Sequence, residues 1–269
     1  MKYIGIILLI IISLSALGQN NDELLLSKNK VKEVKKVQKI HAFELEAKLC
    51  EIESKMLNED GQIVYSKMDL NCIGWTSKEE RFLTYKKGKV LTSKIKRDGE
   101  DFQIFTFRYG KGKEPVEIRT FFYQTNDSIL VSNKYFREKG KIDRTYITTV
   151  LQDGSIYKTK SIARYNGDNK LVQLYSVNES GEATEILSNE IDENGVLKSV
   201  AFTTYGERES FTQRFFEYNR DGAIDNTINT VNQRQEYFYL DNGLIKNVLS
   251  YNPKGELEIE YIFEYNYYE

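Results

Sequence analysis

Hydrophobic and polar residues alternate along most of this chain with the period of a β-strand. The last segment is the clearest. Leu257, Ile259, Tyr261, Phe263, Tyr265 and Tyr267 share one parity, and Glu258, Glu260 and Glu264 share the other. Successive strand side chains point to opposite faces, so this is a strand with one packed and one wet face. Between such segments a short motif recurs: a bulky residue, three turn-type residues, Gly, any residue, then usually Ile or Leu. It reads Leu57/Gly61/Ile63, Phe136/Gly140/Ile142, Val150/Gly154/Ile156, Val177/Gly181/Ala183, Ile191/Gly195/Leu197, Tyr218/Gly222/Ile224, Tyr239/Gly243/Ile245 and Tyr251/Gly255/Leu257. Asn, Asp and Gly tolerate the backbone of tight hairpin turns. The motif therefore predicts a succession of β-hairpins.

The turn glycines set the strand length. They fall at 140, 154, 167, 181 and 195, in steps of 14, 13, 14 and 14. That leaves about eight to ten residues per strand, roughly 30 Å. The expected fold is all-β, an antiparallel meander of successive hairpins forming one large twisted or curled sheet, open or sandwich-like. The period falters between Gly206 and Gly243 and again around Pro115. Those are the places for insertions or irregular edges.

Residues 1–18 read as a signal peptide: Lys2, an apolar run from Ile4 to Ile12, then the small-residue pattern Ala16-Leu17-Gly18 before Gln19. The run is short for a spanning helix, which needs about 20 residues. The first cysteine is Cys50, so no lipid attachment at a new N-terminal Cys is expected. The mature chain is expected to be periplasmic or secreted, with no membrane span left after cleavage. Residues 19–42 form a flexible or edge segment. Val31, Val34, Val37 and Ile40 step by three as a helix face does, but β-branched residues among lysines favour a strand guarded at a sheet edge. Residues 43–269 form the hairpin-repeat domain.

Two copies of the motif carry a Tyr-Asn dipeptide, Tyr218-Asn219-Arg220-Asp221-Gly222-Ala223-Ile224 and Tyr251-Asn252-Pro253-Lys254-Gly255-Glu256-Leu257. These resemble the YD repeats of exported bacterial Rhs-type proteins. Tyr239-Leu240-Asp241-Asn242-Gly243-Leu244-Ile245 is similar to the MORN-variant repeat. Either resemblance implies a β scaffold in an exported protein and supplies no catalytic residues.

Composition narrows the chemistry. Removing the signal leaves 37 basic residues against 40 acidic ones, which gives no footprint for nucleic acid. His41 is the only histidine, so zinc sites built from several His and Cys are excluded by count, and any Ser-His-Asp or Cys-His site would have to use it. The acid-rich turns lack the spacing of a calcium loop, and turn geometry explains their residues. No cofactor or metal is expected. Cys50 and Cys72 stand eleven residues on either side of Gly61, nearly opposite in a hairpin. In an oxidising compartment they are expected to form a disulfide that stabilises by about 3 kcal/mol. Asp127-Ser128-Ile129 resembles a short O-glycosylation signal of exported bacterial proteins.

Aromatic residues are the candidates for binding. Phe121-Phe122-Tyr123, Phe215-Phe216 and Tyr237-Phe238-Tyr239 place apolar groups on both parities, so both strand faces need cover. Phe121, Tyr123, Phe215, Tyr237 and Tyr239 are the expected binding residues. The function expected is that of an exported, non-catalytic repeat protein that binds a protein, envelope or glycan partner along its aromatic faces. One alternative is an outer-membrane β-barrel, against which Lys94, Lys96 and Arg97 stand on both parities of Val90–Arg97. A hydrolase using carboxylates alone is another, although no pair is singled out.

Overall fold

The computed structural model describes residues 19–41, 49–69, 71, 77–205 and 210–269. The signal segment and Cys72 lie outside the described residues. A helix α1 (Gln19–Lys28) precedes eighteen strands. These are β1 (Val31–Ile40), β2 (Leu49–Leu57), β3 (Ile63–Asp69), β4 (Lys78–Lys86), β5 (Lys89–Arg97), β6 (Glu100–Tyr109), β7 (Pro115–Phe122), β8 (Asp127–Glu138) and β9 (Lys141–Leu151). There follow β10 (Ile156–Tyr165), β11 (Leu171–Val177), β12 (Ala183–Ile191), β13 (Leu197–Thr204), β14 (Ser210–Tyr218), β15 (Ile224–Asn229), β16 (Arg234–Tyr239), β17 (Ile245–Tyr251) and β18 (Leu257–Tyr267).

Every strand pairs antiparallel with its sequence neighbours, as the meander predicts. The sheet is not open or sandwich-like, however. β1 pairs with β2 on one side and with β18 on the other, from Val31↔Tyr267 to Ile40↔Ile259. These pairings close the sheet into a barrel and abolish its edges. The segment expected as a flexible start and an edge strand is instead a helix followed by the closing strand.

The turns repay a closer look, because they explain the motif. In the Gly222 hairpin Asn219 Oδ1 accepts the amides of Asp221 and Ala223, both at 3.0 Å. Asn252 Oδ1 does the same for Lys254 and Glu256, and Asp192 Oδ1 for Asn194 and Val196. The Gly then adopts a left-handed φ, +81° at Gly222 and +76° at Gly195. A one-residue bulge follows, as between Glu217 and Tyr218. The first turn residue is thus a cap, and its side chain closes the loop.

Eighteen strands run between two rims. One rim carries α1 and the turns β2–β3, β4–β5 and so on to β16–β17, and here β1 begins and β18 finishes. We call it the helix rim. The other is the loop rim, where β1 and β2 are joined through residues 41–48 and β3 and β4 through 70–77.

Parity divides the wall into two faces. On β8, Val131 and Asn133 are buried while Ser132 and Lys134 are exposed; on β9, Thr145 and Ile147 are buried while Arg144 and Tyr146 are exposed. Register carries the same parity round the barrel, through Ile118↔Val131, Thr145↔Tyr135 and Glu185↔Ser176. A sheet bent through a full turn crowds side chains on its concave side and splays them on its convex side. The buried parity is therefore the inner wall. Among the described residues, no hydrogen bond, ion pair or ring contact bridges the barrel; each joins neighbouring or next-neighbouring strands. Barrels of roughly 16–18 strands leave a lumen between their inner walls.

Candidate functional site

The inner wall is divided into sectors. On β6 to β9 it is apolar: Ile118, Ile129, Val131 and Ile147 are buried, with Phe105 and Phe107 against them. On β1 to β4 it is ionic. Lys55 pairs with Glu53 at 2.8 Å and Arg81 with Glu79 at 3.6 Å, while the Lys36 ammonium stands 4.1 Å over the Tyr261 ring. From β9 to β13 a polar row runs across the strands, four hydroxyls and one carboxyl: Thr145, Ser161, Ser176, Glu185 and Thr204, each opposite the next. Glu185 is 6% exposed, Ser176 is 2% exposed, and the Ser176 Oγ has no hydrogen-bond partner. Polar groups this sheltered ordinarily find partners, so the Ser176 hydroxyl holds unused hydrogen-bonding capacity on the inner wall.

The helix rim is tied shut from strand to strand. At this rim the pairs β3–β4, β7–β8, β9–β10, β11–β12, β15–β16 and β17–β18 have no turn to hold them together. A side chain reaches across each one to the carbonyl where a hairpin re-enters the sheet. Tyr85 donates to Ile63 (2.8 Å), Tyr135 to Pro115 (2.7 Å), Tyr165 to Ile142 (2.9 Å), Tyr239 to Ile224 (2.7 Å) and Tyr265 to Ile245 (2.7 Å). Between β11 and β12 the same job falls to Asn189, whose amide donates to Leu171 at 3.0 Å. α1 completes this rim. Leu25 and Leu26 pack against the buried cluster of Val31, Leu57 and Leu244, which Val34 and Tyr265 also join. Val34 and Tyr265 face inward, so the helix sits in the mouth of the barrel rather than on its outside.

The five expected binding aromatics are scattered by this geometry. Phe121 and Tyr123 meet at the loop rim, edge to face with centroids 5.2 Å apart. Lys94 lies 5.7 Å over the Tyr123 ring and pairs with Asp101 at 2.7 Å. A surface hollow of about 550 Å³ opens beside them, lined by Lys96, Gly99, Glu100, Asp101, Tyr123 and Gln124. Phe215 stands 41% exposed on the outer wall. Tyr237 faces inward and donates to Gln235. Tyr239 is committed to the Ile224 carbonyl as a rim tie. The sequence offered a signal for the ties, a Tyr placed directly before a turn as in Tyr165-Asn166, but it read as a bulky residue only.

His41 lies 3.6 Å from Glu260, and among the described residues no three metal-ligating side chains stand together. Cys50 is 3% exposed and is disulfide-bonded. Its expected partner Cys72 is outside the described residues. Register from Glu53↔Met68 places residue 71 opposite Cys50, one position from Cys72.

No protein-family model matches the chain, and no curated protein matches it. Solved structures do. A porin-like protein from Bacteroides uniformis aligns over 88% of this chain and 97% of its own, at 7% identity and a TM-score of 0.41. A porin-like protein from Bacteroides vulgatus aligns over 88% and 98%, at 13% identity and a TM-score of 0.37. The TcdB2-TccC3-Cdc42 complex aligns over 84% of this chain and 14% of its own, at 11% identity and a TM-score of 0.33.

Proposed function

We propose that the chain is a hollow barrel of the bacterial envelope that admits a polar solute to its lumen, rather than an open sheet that binds a partner along its strands. Closure carries the reading. An antiparallel sheet without edges is what a strand-built membrane span requires, and an adhesive open sheet has no need of it. The two longest connections, β1–β2 and β3–β4, lie at the loop rim, while β1 begins and β18 finishes at the other, which supports an outer-membrane placement.

The outer wall favours a second placement, the same barrel standing in water. Arg108 and Arg119 flank Glu117 there, Lys94 pairs with Asp101, and Arg234 with Glu236. An Arg or Lys facing lipid at the bilayer midplane costs about 2–4 kcal/mol. β15 and β16 have six residues each, against the roughly 9–11 of a tilted membrane strand. Fractionation of cells expressing the full chain separates the two. An inserted barrel stays with membranes through carbonate washing and needs detergent to leave them. A water-standing barrel is released without detergent as a monodisperse species. A solute-swelling assay in reconstituted vesicles tests the lumen of the inserted form. Small-angle scattering tests it in the released form, where a filled particle contradicts the hollow barrel.

A further inference from the structure

Cations on the outer wall are paired with carboxylates almost wherever they occur. Lys35 meets Glu51, Lys67 meets Asp69, Lys78 meets Glu80, Lys94 and Lys96 meet Asp101, and Arg234 meets Glu236. The stretch from β8 to β11 departs from this rule. Lys134, Lys158, Lys160 and Arg164 all have the outward parity, and among the described residues none of them forms an ion pair. A fifth cation, Arg144, is held by Asp143 at 2.7 Å.

Aromatic rings take the place of the missing carboxylates. Lys134 lies 5.2 Å and Arg144 5.4 Å from the centre of the Phe136 ring. Lys160 lies 5.7 Å from the Tyr146 ring, and Arg164 5.2 Å from Tyr175. Phe136 and Tyr146 pack edge to face at 5.3 Å. The register makes this a lattice of two adjacent rows. One row holds Phe136, Arg144, Ile162 and Tyr175, and the other Lys134, Tyr146, Lys160 and Val177. Lys158, Lys160 and Arg164 run along one strand, with neighbouring outward positions roughly 7 Å apart. A ring face orients an ammonium or guanidinium without neutralising it, so the cations stay available to an external anion.

We propose that this β8–β11 face binds an acidic polysaccharide, a flexible chain bearing carboxylate or phosphate groups at regular intervals. Charge complementarity is the argument: four unpaired cations in a chain of formal net charge −2. A cation stands over each of these rings, so they are poorer platforms for stacked bases, which single-stranded nucleic acid uses, than free rings are. A convex wall touches a flat lipid surface along one line only, whereas a polysaccharide can follow it. The inference rests on the water-standing placement of the barrel. Fractionation tests that placement without any ligand, so the two can fail separately.

The experiment uses the full chain and polygalacturonate as probe, read by calorimetry or biolayer interferometry. The expected result is binding that weakens as salt is raised, and that is lost at least tenfold in Lys134→Gln/Lys158→Gln/Lys160→Gln. The control Lys67→Gln/Lys78→Gln removes two paired cations from the same wall and should change affinity less than twofold. Tyr146→Ala, which frees Lys160 from its ring, should weaken binding several-fold with the charge unchanged. Three results overturn the proposal: no binding to polygalacturonate, equal losses in the triple variant and the control, or tighter binding to oligothymidylate or to phosphatidylglycerol vesicles. Circular dichroism of each variant confirms that the barrel is intact.

Discussion

The two rims of the barrel are built from the same hairpin motif and are held together differently. At the helix rim, Tyr hydroxyls and one Asn amide bridge six of the strand pairs that have no turn there, and α1 seats Leu25 and Leu26 in the mouth. At the loop rim Tyr251 spends its hydroxyl otherwise, on the Glu236 carboxylate, side chain to side chain. A hairpin turn ties two strands at one end and leaves their other ends free to splay. A closed barrel needs a second set of ties where the turns are missing; among the described residues the helix rim has six Tyr or Asn ties of this kind, while β5–β6 and β13–β14 lack one. Stability is therefore expected to concentrate at the helix rim and access to the lumen at the loop rim.

The strongest challenge to that contrast is to remove apolar contact at each rim. Leu244 is 3% exposed beneath α1, and Leu244→Ala should cost about 2–5 kcal/mol in denaturant unfolding. Tyr123→Ala removes an exposed edge-to-face contact at the loop rim and should cost about 1 kcal/mol. Equal losses would show that the rims do not differ. A glycine pair refines the comparison. Gly61 (φ +77°) and Gly181 (φ +82°) share a left-handed backbone, which costs an Ala roughly 1–2 kcal/mol at either site. A Cβ on Gly61 would also collide with the Ser27 Cβ of the helix, while one on Gly181 meets nothing within 4 Å. Gly61→Ala should therefore be the costlier of the two, and hydrogen exchange should show the excess as faster exchange in α1.

These contrasts also mark where sequence reading stops. Hairpins were legible because their chemistry is local: a cap such as Asn219, a left-handed Gly222 and a re-entering Ile224 lie within six residues. Closure was not, because Val31 and Tyr267 are at opposite ends of the chain and nothing in either strand names the other. Lysines on β1 suggested an exposed edge. In the barrel they are divided by parity, Lys36 inward over Tyr261 and Lys35 outward to Glu51. The binding residues were harder still. Tyr237 and Phe238 are adjacent in sequence yet face opposite sides of the wall, and a turn tyrosine such as Tyr239 looks the same whether its hydroxyl is free or tied.

Smaller effects test the ties one at a time. Tyr239→Phe deletes a hydroxyl from the helix rim and leaves the Ile224 carbonyl without that donor. The expected loss is about 0.5–1.5 kcal/mol. Tyr251→Phe deletes a hydroxyl whose partner, the Glu236 carboxylate, also has Arg234 at 2.9 Å, so its loss should be the lesser. If the two losses match, the carbonyl ties have no special part in closing the barrel. The double variant Tyr239→Phe/Tyr265→Phe should exceed the sum of its singles if adjacent ties act together.

Acid sharpens the comparison at the level of single turns. A carboxylate accepts a turn amide at each rim: Asp192, a cap, at the helix rim, and Asp153, the residue before Gly154, at the loop rim. The Val196 amide bonded to Asp192 at 2.8 Å, and the Ser155 amide bonded to Asp153 at 2.8 Å, hold both carboxyls below the ordinary Asp value. A depressed folded pKa means that the ionised carboxylate contributes stability above the unfolded value, about pH 3.9. That contribution is lost as pH falls through the lower folded value. Asn219 and Asn252 make the bonds of Asp192 with a side chain that does not titrate. Below about pH 4 the Val196 and Ser155 amides should therefore gain exchange relative to Ala223 and Glu256. Asp192→Asn should abolish the difference at Val196. If both rims loosen by the same increment, the extra ties of the helix rim do not restrain its individual turns. If Ser155 opens further than Val196, they do.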